Sequence, residues 1–558
     1  MHGLDNRGLV AGAIPGVPFG RFGRMFDLPP NQKLPDPALI AIAQAMIKKD
    51  PGKPITAAEP VDENPTIPAG YTYFGQFVDH DITFDPTPLS AEHEDVGALI
   101  DFRTPSLDLD NVYGRGPDDQ PYMYVGGMML RVGPVPGNAD ATVGTKADVF
   151  RLPDNTPVLG DKRNDENKIV SQIHGALIAF HNKVVNDDGL MNWAGVTLTD
   201  KGARFNAARV IVQWHYQWVV VFDYLNRVLE RGMVDEVLNP GGAPRLNNYL
   251  KLTAPYAYMP VEFSGAAFRF GHSMVRPSYA LNRRVGTEHG TPDSTRVPTF
   301  AIVKDPAHPT PEEQLLNLNG FPGTLPGGWG IDWGYFLENI PPNVNIPQAP
   351  AAGESVQAPQ KSYRLDAILT DPLAILPEFQ SEAAARHNDA LMNLAFRNLR
   401  RGQLLDLPSG EAVACKLGIT PMPPDVVWGV GSSKLGTKPF PGNTETDFND
   451  TVTARKTARD TIKGMGFSVE GHTPLWYYIL REAEFYGVTT DPNEPGIMFG
   501  GQHLGPVGSR IIAETIIGML SMDQSSFLNA PQTFKPHPTI TGGAAKFTLD
   551  RLISFALS

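Results

Sequence analysis

The chain has 558 residues, of which 41% are hydrophobic and 19% charged, and its formal net charge is -13. This composition is typical of an ordered globular protein, and an acidic chain without a basic run is a poor candidate for binding nucleic acid or an anionic membrane. The single cysteine, Cys415, excludes an intramolecular disulfide and a cysteine-based zinc cluster, and we expect it to be a buried apolar residue.

The N-terminal residues 1–65 are rich in glycine and proline, apart from a helical stretch at 38–49. This pattern predicts an arm that lies on the body of the protein. The first residues lack the continuous apolar run of a classical signal peptide, so we expect a cytoplasmic location or export by a non-classical route. No linker divides residues 66–558, which we predict to form one large domain.

Helical periodicity accounts for most of the predicted elements of that domain. A helical stretch that runs into a proline-containing turn is predicted at residues 70–89, and helices are predicted at residues 169–185, 203–231, 265–277, 382–401, 474–486 and 509–520. The most apolar run, 210–225, contains polar side chains and is too short to span a bilayer comfortably, so it predicts a buried core helix and no transmembrane segment. Strand signals are few, and 101–165 and 285–365 have the composition of loops. The predicted fold class is mainly α, with long loops and little β structure.

The segment "YTYFGQFVDHDITFDPTP", residues 71–88, concentrates polar side chains in an apolar context. Gln76 and His80 are four residues apart and share one face of a helix. Asp79 and Asp81 flank His80. A surface or structural histidine would explain an isolated "DHD". A metal-hydrolase site is the alternative, but the helix has no second histidine at ligand spacing.

The segment "DFRTPSLDLDNVYGRG", residues 101–116, carries oxygen-bearing side chains at every second position. They are Thr104, Ser106, Asp108 and Asp110. This alternation suits a hard cation such as calcium, which binds several oxygen ligands. A solvated loop or the polar face of a strand has the same pattern.

Two further segments contain candidate functional residues. Arg163 lies in a polar loop just before a predicted helix, and Glu166 follows three residues later, where surface residues are common. In "AFRFGHSMVRP", residues 267–277, His272 lies among small and apolar residues. The neighbouring Gly271 would let a planar group approach closely, whereas a buried, hydrogen-bonded histidine is the ordinary interpretation.

The fifth segment, "AFRNLRRGQLLDLP", places Asn398 and Arg401 on one face near a helix end, as in an ordinary polar terminus. In this order, the five segments resemble the animal-type haem peroxidase family of the peroxidase–cyclooxygenase superfamily. The resemblance covers residues 71–527, and "GQFVDHD" and "FRFGH" are its most specific motifs. The C-terminal "TPLWYYILREAEFYG" and "LGPVGSRIIAE" resemble the bacterial-type members. The resemblance to this family implies one large helical haem peroxidase domain.

The resemblance implies three catalytic residues on the distal side of the haem. His80 would take a proton from one peroxide oxygen and return it to the leaving oxygen. Arg163 would stabilise the negative charge that develops as the O–O bond breaks. Gln76 would hold water or a halide near the iron.

On the proximal side, the resemblance makes His272 the axial ligand of the haem iron. Asn398 would accept a hydrogen bond from the other ring nitrogen and so tune the iron. Arg269 and Arg401 are the implied partners of the haem propionates.

Two carboxylates match those that become esterified to haem b in mammalian members, namely Asp79 and Glu166. One or two covalent links are therefore expected. Asn167 stands where the mammalian leukocyte enzyme has a methionine that forms a sulfonium link. Asparagine cannot form this link, which argues against chloride oxidation and leaves bromide, iodide, thiocyanate and phenols.

The oxygen-rich loop and the distal helix together match the calcium site of the family. The implied ligands are Asp81, Thr104, Ser106 through its carbonyl, Asp108 and Asp110. Asp110 stands where mammalian members have serine, which adds a negative charge. Because Asp81 follows His80 directly, Ca²⁺ would stiffen the distal helix.

The implied function is that of an oxidoreductase, a haem-dependent peroxidase. It would reduce hydrogen peroxide and oxidise halides, pseudohalides or small phenolic donors through an oxoiron(IV) intermediate, as in a response to oxidative stress.

One alternative is a fatty-acid oxygenase of the same superfamily, which needs a radical tyrosine. Tyr256 and Tyr258 precede His272, but no spacing singles either out. The other is a non-catalytic binding or adhesion protein, which the full set of catalytic residues opposes. The sequence does not indicate an oligomeric state.

Overall fold

The computed structural model describes most of the chain and shows a mainly helical protein. The described residues are 20–47, 63–84, 100–134, 147–249, 257–282, 297–300, 317–320, 325–326, 328–340, 359–429, 445–486, 489–490 and 498–558. The predicted fold class is confirmed, because helices dominate the described residues and the strands are short. No helix in these ranges is long and apolar enough to cross a membrane.

The α-helices are numbered in chain order. They are α1 (Asp36–Ala45), α2 (Gly70–Ile82), α3 (Asp110–Tyr113), α4 (Lys168–Asn186), α5 (Asp188–Trp193), α6 (Lys201–Val219), α7 (Leu225–Val228), α8 (Met233–Leu238), α9 (Val261–Gly265), α10 (Gln380–Arg386), α11 (Leu394–Leu404), α12 (Gly410–Lys416), α13 (Pro424–Val427), α14 (Glu445–Gly464), α15 (Leu475–Tyr486), α16 (Pro506–Met522), α17 (Pro538–Thr541) and α18 (Leu549–Leu557). A π-helical turn, Val220–Tyr224, joins α6 to α7.

The strands pair in small sheets at the edges of the helical body. They are β1 (Gly20–Gly23), β2 (Glu63–Pro68), β3 (Ile100–Asp101), β4 (Tyr124–Val125), β5 (Met129–Leu130), β6 (Val132–Pro134), β7 (Ala147–Val149), β8 (Met259–Pro260), β9 (Ser278–Tyr279), β10 (Val297–Pro298), β11 (Lys361–Tyr363), β12 (Thr489–Thr490) and β13 (Met498–Phe499). The largest sheet has the order β3-β1-β8, with β1 antiparallel to β3 and parallel to β8.

The helices that position the site are buried on several faces. The distal helix α2 packs against α4 and against the 3₁₀ helix Ala267–Met274, which we call the proximal segment. In α2 the side chains of Phe74, Phe77 and Val78 are fully buried. Burial of this apolar surface stabilises the helix far more than its intrinsic propensity does. The close packing fixes the direction of the polar residues between these apolar ones.

The described part of the N-terminal region, residues 20–47, packs on the helical body. Helix α1 contacts α14 and α11, and buried Glu262 accepts hydrogen bonds from the backbone N–H groups of Met25 (2.9 Å) and Phe26 (3.4 Å). A separate arm over residues 1–65 stays a prediction, as does the boundary at residue 66.

A local cap interrupts one predicted helix, and a second predicted stretch contains a shorter helix. The predicted helix 382–401 is interrupted after Arg386, where His387 adopts a left-handed conformation with φ 50°. Asn393 then caps a new helix, α11, through its side-chain oxygen. Within the predicted stretch 70–89, the helix ends at Ile82, because Thr83 is extended. Residues 85–89 of that prediction lie outside the described residues.

Two observations differ from the sequence-based expectations. Helix α14 was missed, because Val452, Ala458 and Ile462 are among its few buried side chains and leave a weak apolar pattern. The expectation that Cys415 is buried is wrong, because its side chain is exposed. Helix α12 directs Val413 and Ala414 to the core and Cys415 to the solvent.

Candidate active site

The distal helix α2 presents Gln76, Asp79 and His80 in its last two turns. At Gly75, close packing excludes a larger side chain, because an added Cβ would lie 2.2 Å from the Tyr224 hydroxyl oxygen. The helix stops after Ile82, where the Thr83 hydroxyl donates to the carboxylate oxygen Oδ1 of Asp79 at 3.0 Å. Asp79 is half-buried, and the side chain of His80 is buried.

Both ring nitrogens of His80 have partners. Nδ1 lies 2.9 Å from Oδ1 of Asn164, and Nε2 lies 3.2 Å from Oε1 of Glu166. The amide nitrogen of Asn164 lies 3.0 Å from Nδ1 of His174, which burial keeps neutral by lowering its pKa to about 3. Asn164 therefore donates to His174 and accepts the Nδ1 proton of His80, which makes Nε2 the nitrogen that faces Glu166.

Glu166 is the point where the distal side chains meet. Its Oε1 atom accepts a hydrogen bond from the Gln76 amide and lies beside Nε2 of His80. Burial raises the pKa of this carboxyl group, but His80, Arg163 and the Gln76 hydrogen bond outweigh burial and leave the pKa below its ordinary value. The carboxylate form is therefore favoured, and 36% of the side chain remains exposed.

Arg163 lies next to His80, but its guanidinium is turned toward the backbone. Nη2 donates to the carbonyl oxygens of His80 (3.1 Å) and Thr83 (2.6 Å) and to Oδ2 of Asp161 (2.8 Å). The guanidinium carbon lies 4.6 Å from the centroid of the Phe84 ring. Among the described residues Nη1 of Arg163 has no hydrogen-bond partner, so this nitrogen remains a free donor.

The proximal segment carries His272, which contacts Asn398 on α11 at 2.8 Å. The expected pair is therefore brought together, but the amide nitrogen of Asn398 faces Nδ1, whereas an acceptor oxygen was expected. The physical reason is Arg269, whose Nη1 donates to Oδ1 of Asn398 at 2.9 Å and so orients the amide. Burial, with a smaller effect of Arg269, lowers the pKa of His272 to about 3, so the imidazole is neutral.

The surroundings of His272 suit a planar metal-containing group. A Cβ added to Gly271 would meet no described atom within 4 Å, so the backbone beside the imidazole faces open space. Trp476 of α15 packs edge-on to the His272 ring at a centroid distance of 6.5 Å. A neutral imidazole beside open space can bind a haem iron through Nε2 when its proton lies on Nδ1, so haem binding would require the Asn398 amide to turn its oxygen toward Nδ1. These residues fit a haem held between α2 and the proximal segment.

Arg401 was predicted to bind a haem propionate. It lies in the last turn of α11, three residues after Asn398, and is half-buried. Its propionate role, and that of Arg269, stay predictions. Asp79 and Glu166 both lie at the distal side, where esterification would require them, and their covalent links also stay predictions.

The predicted calcium residues form a compact cluster next to the distal helix. One carboxylate oxygen from each of Asp81, Asp108 and Asp110 lies within 4.8 Å of the other two. Asp81 is fully buried, and neither of its oxygens has a hydrogen-bond partner of good geometry among the described residues. Buried, unpaired carboxylate oxygens at this spacing suit a divalent cation with oxygen ligands. We call these three residues the carboxylate cluster.

The electrostatics of the carboxylate cluster favour the same interpretation. Burial and the neighbouring Asp110 raise the pKa of Asp108 to about 8. Burial raises the pKa of Asp110 to about 6, although Arg103 opposes the shift. Three carboxylates in one site repel each other, and a bound cation would relieve that repulsion.

The two hydroxyl residues of the predicted calcium loop lie beside the cluster. The Thr104 hydroxyl donates to Oδ2 of Asp108 at 2.8 Å, and the Ser106 hydroxyl donates to Oδ2 of Asp523 at 2.9 Å. The Ser106 hydroxyl is engaged in this contact, and the role of its carbonyl as a cation ligand stays a prediction. Sequence reasoning missed Asp523, which is 417 residues away along the chain.

Comparison with known proteins gives one family-model match. Residues 92–309 match the family model described as animal haem peroxidase. This range includes Arg163 and His272 but neither His80 nor Asn398. A search of curated protein sequences finds no match.

Two solved structures have a similar fold. Peroxidase A from Dictyostelium discoideum superposes with a TM-score of 0.55 at 15% identity, over 97% of this chain and 93% of that chain. A fatty acid alpha-dioxygenase from Arabidopsis thaliana superposes with a TM-score of 0.50 at 12% identity, over 95% of this chain and 74% of that chain. At such identities the likeness concerns the fold alone. Residues 92–309 therefore resemble an animal haem peroxidase domain, and the chain shares the fold of these two solved structures.

Proposed function

We propose that the protein is a haem peroxidase that reduces hydrogen peroxide and oxidises small organic donors or the more easily oxidised halides and pseudohalides. The observation that carries the proposal is the orientation of His80. Oδ1 of Asn164 accepts a hydrogen bond from the Nδ1–H group of this ring and leaves Nε2 facing Oε1 of Glu166, which also accepts from the Gln76 amide. Bound haem would supply an iron that coordinates peroxide and stores its two oxidising equivalents.

His80 is proposed to move the proton at Nε2. A neutral ring with its proton on Nδ1 accepts a proton at Nε2 and can return it to the leaving oxygen. Glu166 lies 3.2 Å from Nε2 and meets the positive charge that develops on the imidazole. The Asn164 contact holds the ring plane and the tautomer during both steps.

Arg163 is proposed to stabilise the leaving oxygen. Its guanidinium stays charged throughout the working pH range, and Nη1 is not engaged by a described residue. The contacts to Asp161 and to the carbonyls of His80 and Thr83 limit its movement. A preorganised positive charge lowers the barrier to bond cleavage without rearrangement at the moment of reaction.

The donor class is proposed from Asn167. This residue caps α4, because its side-chain oxygen accepts the backbone N–H of Ile169 at 2.8 Å. An asparagine with a structural role gives no sulfur link to haem. We therefore expect phenols, iodide, thiocyanate and bromide to be oxidised in preference to chloride.

A fatty-acid oxygenase is the alternative. Its activity is also measured, because the Arabidopsis dioxygenase has a similar fold. Of the two tyrosines considered for its radical, only Tyr258 lies among the described residues. Tyr258 stacks on Tyr249 at 4.7 Å and donates its hydroxyl to the Tyr249 carbonyl at 2.7 Å. Tyr256, the other tyrosine considered, lies outside the described residues. Oxygen uptake with a long-chain fatty acid, measured beside peroxide-dependent dye oxidation, separates the two activities.

The decisive experiment is an absorption spectrum of the haem-loaded protein before and after one equivalent of hydrogen peroxide. We expect a Soret band that shifts rapidly. His80→Ala should keep the Soret band and slow the shift by about 10²- to 10⁴-fold, the usual size of a general acid–base contribution. His472→Ala, at a histidine bonded to Asn31, is the matched control and should react normally. A normal rate in His80→Ala would refute the proposal.

A further inference from the structure

We propose that Arg103 is a positioning residue that connects the carboxylate cluster to the distal arginine, Arg163. The inference rests on the proposed function and adds a route by which a bound cation acts on the distal site. Arg103 belongs to the loop after β3, where its backbone N–H donates to Oδ1 of buried Asp101 at 3.1 Å. Only 12% of its side chain is exposed. An arginine this buried is held in one place and does not act as a mobile surface charge.

Asp161 is shared by the two arginines. Nε and Nη2 of Arg103 donate to its Oδ2 atom at 2.9 and 2.6 Å, and Nη2 of Arg163 donates to the same oxygen at 2.8 Å. The side chain of Asp161 is 1% exposed. Burial raises its pKa, but Arg163 and Arg103 outweigh burial and leave the pKa well below its ordinary value. A carboxylate held between two guanidiniums transmits a displacement of one to the other.

The other end of Arg103 reaches the carboxylate cluster. Its Nη1 atom lies 3.2 Å from Oδ1 of Asp110. Three carboxylates with one divalent cation carry a net charge of −1, and the single positive charge of Arg103 balances it. Asp110 is the cluster residue that Arg103 contacts, so the positive charge lies next to this carboxylate.

The cluster therefore reaches the distal site by two routes. The first is covalent, because Asp81 follows His80 in α2. The second is ionic and runs from Asp110 through Arg103 and Asp161 to Arg163. The guanidinium of Arg103 is planar, so its Asp110 edge and its Asp161 edge move together. A cation that draws Asp110 into its coordination sphere thereby sets the position of Arg163, which donates to the carbonyl of His80.

The test uses the haem-loaded protein and the variants Arg103→Gln and Arg103→Lys. The calcium dissociation constant is measured by competition with a fluorescent chelator, and the peroxide-dependent Soret shift is timed with saturating calcium and after chelation. Arg103→Gln removes a positive charge beside the cluster, so its calcium affinity should equal or exceed that of the wild type. Its Soret shift with saturating calcium should be about 10-fold slower, the scale of one lost positioning contact.

Arg103→Lys separates charge from geometry. It keeps the positive charge, so its calcium affinity should match the wild type, but an ammonium cannot bridge Asp110 and Asp161 as a planar fork does. Its Soret shift should therefore also be slow. In both variants the ratio of rates with and without calcium should fall below that of the wild type but stay above one, because the ionic route is cut while the covalent route through Asp81 remains.

The exposed Arg115, paired with Asp119 at 3.4 Å, provides the control variant Arg115→Gln, which should behave as the wild type. A wild-type rate in calcium-saturated Arg103→Gln or Arg103→Lys would overturn the inference. So would weakened calcium binding with full recovery of the rate in excess calcium, because Arg103 would then support only the metal site. If the wild-type protein itself binds haem but shows no Soret shift, the proposed function fails, whatever the variants do.

Discussion

The distal and proximal sides of the candidate haem site differ in how their histidines are held. On the distal side, His80 lies among charged groups, with Glu166 at Nε2, Arg163 at its carbonyl and the carboxylate cluster one residue away. On the proximal side, His272 lies in a less charged environment, with Asn398, Trp476 and open space beside Gly271. Proton transfer requires charges that respond to the ring, whereas a metal ligand must stay neutral. The difference in surroundings therefore matches a difference in task.

The largest effect that would sharpen this comparison is expected at the proximal histidine. His272→Ala removes the implied axial ligand, so haem retention should fall strongly and the Soret band should be lost or shifted. His80→Ala, measured beside it, should keep the haem. Haem titration followed by absorption spectroscopy checks both. Equal haem retention in the two variants would contradict the division into a ligand side and a proton-transfer side.

The next effect is expected from Asn164, which orients the distal histidine. Asn164→Ala removes the acceptor of the Nδ1 proton, so the ring can turn and change tautomer. We expect a peroxide-dependent Soret shift that is slower by about 10-fold or more, with haem binding unchanged. Stopped-flow spectroscopy measures this rate, and Asn186→Ala, at an exposed asparagine, is the control. An unchanged rate would mean that His80 needs no such support.

A smaller effect is expected at the proximal amide. Asn398→Ala removes the contact to Nδ1 of His272 and the hydrogen bond that Arg269 donates to the Asn398 side-chain oxygen. Loss of such a supporting contact typically weakens metal binding by about 10- to 100-fold. Competition for haem with a haem-binding protein should show this loss. Asn398→Asp should restore affinity, because a carboxylate accepts from Arg269 and from the Nδ1–H group that a ring bound to iron through Nε2 would carry. Failure of this rescue would argue against a hydrogen-bond role.

The smallest effect concerns pH and the scaffold of the proximal side. Glu482 of α15 is fully buried and accepts the N–H of Val507, and burial raises its pKa to about 8. A carboxyl whose pKa is raised on folding stabilises the protein at low pH, and that stability is lost as pH rises from about 4.5 toward 8. Glu482→Gln should remove this loss.

Thermal unfolding at pH 5 and pH 8 tests the effect of Glu482. The variant should gain about 2 °C or more over the wild type at pH 8 relative to pH 5. Its peroxide-dependent Soret shift should keep the wild-type rate, since Glu482 has no contact with the distal residues. Parallel pH profiles of melting temperature in the two proteins would contradict this assignment.

The sequence singled out the two histidines because their motifs are local, and the resemblance to a known family supplied their proposed roles. The motifs "GQFVDHD" and "FRFGH" each lie within one short segment, and helix periodicity placed Gln76 and His80 on one face. Asn398 was found in the same way, within its own helical segment. The break in the predicted helix 382–401, at His387 and Asn393, was not predicted, because such a short interruption barely disturbs the apolar pattern.

The residues that orient His80 were missed for a physical reason. Asn164 is 84 residues away from His80 along the chain, and its own neighbourhood resembles an ordinary polar loop. The same holds for Asp161, Arg103 and Asp523. A hydrogen bond between distant segments depends on how closely their backbones approach, and that distance is set by the packing of α2, α4 and α16. No local pattern encodes it.

By itself, the sequence determined the helical class, the order of the motifs and the residue types available for haem and cation binding. These depend on periodicity and on short-range spacing, which each segment carries alone. Only the tertiary structure decided which nitrogen of His80 faces the distal pocket, which way the Asn398 amide points and which charges meet at Asp161. Those properties arise where separate segments come within about 3 Å of one another, and packing of the whole fold sets that approach.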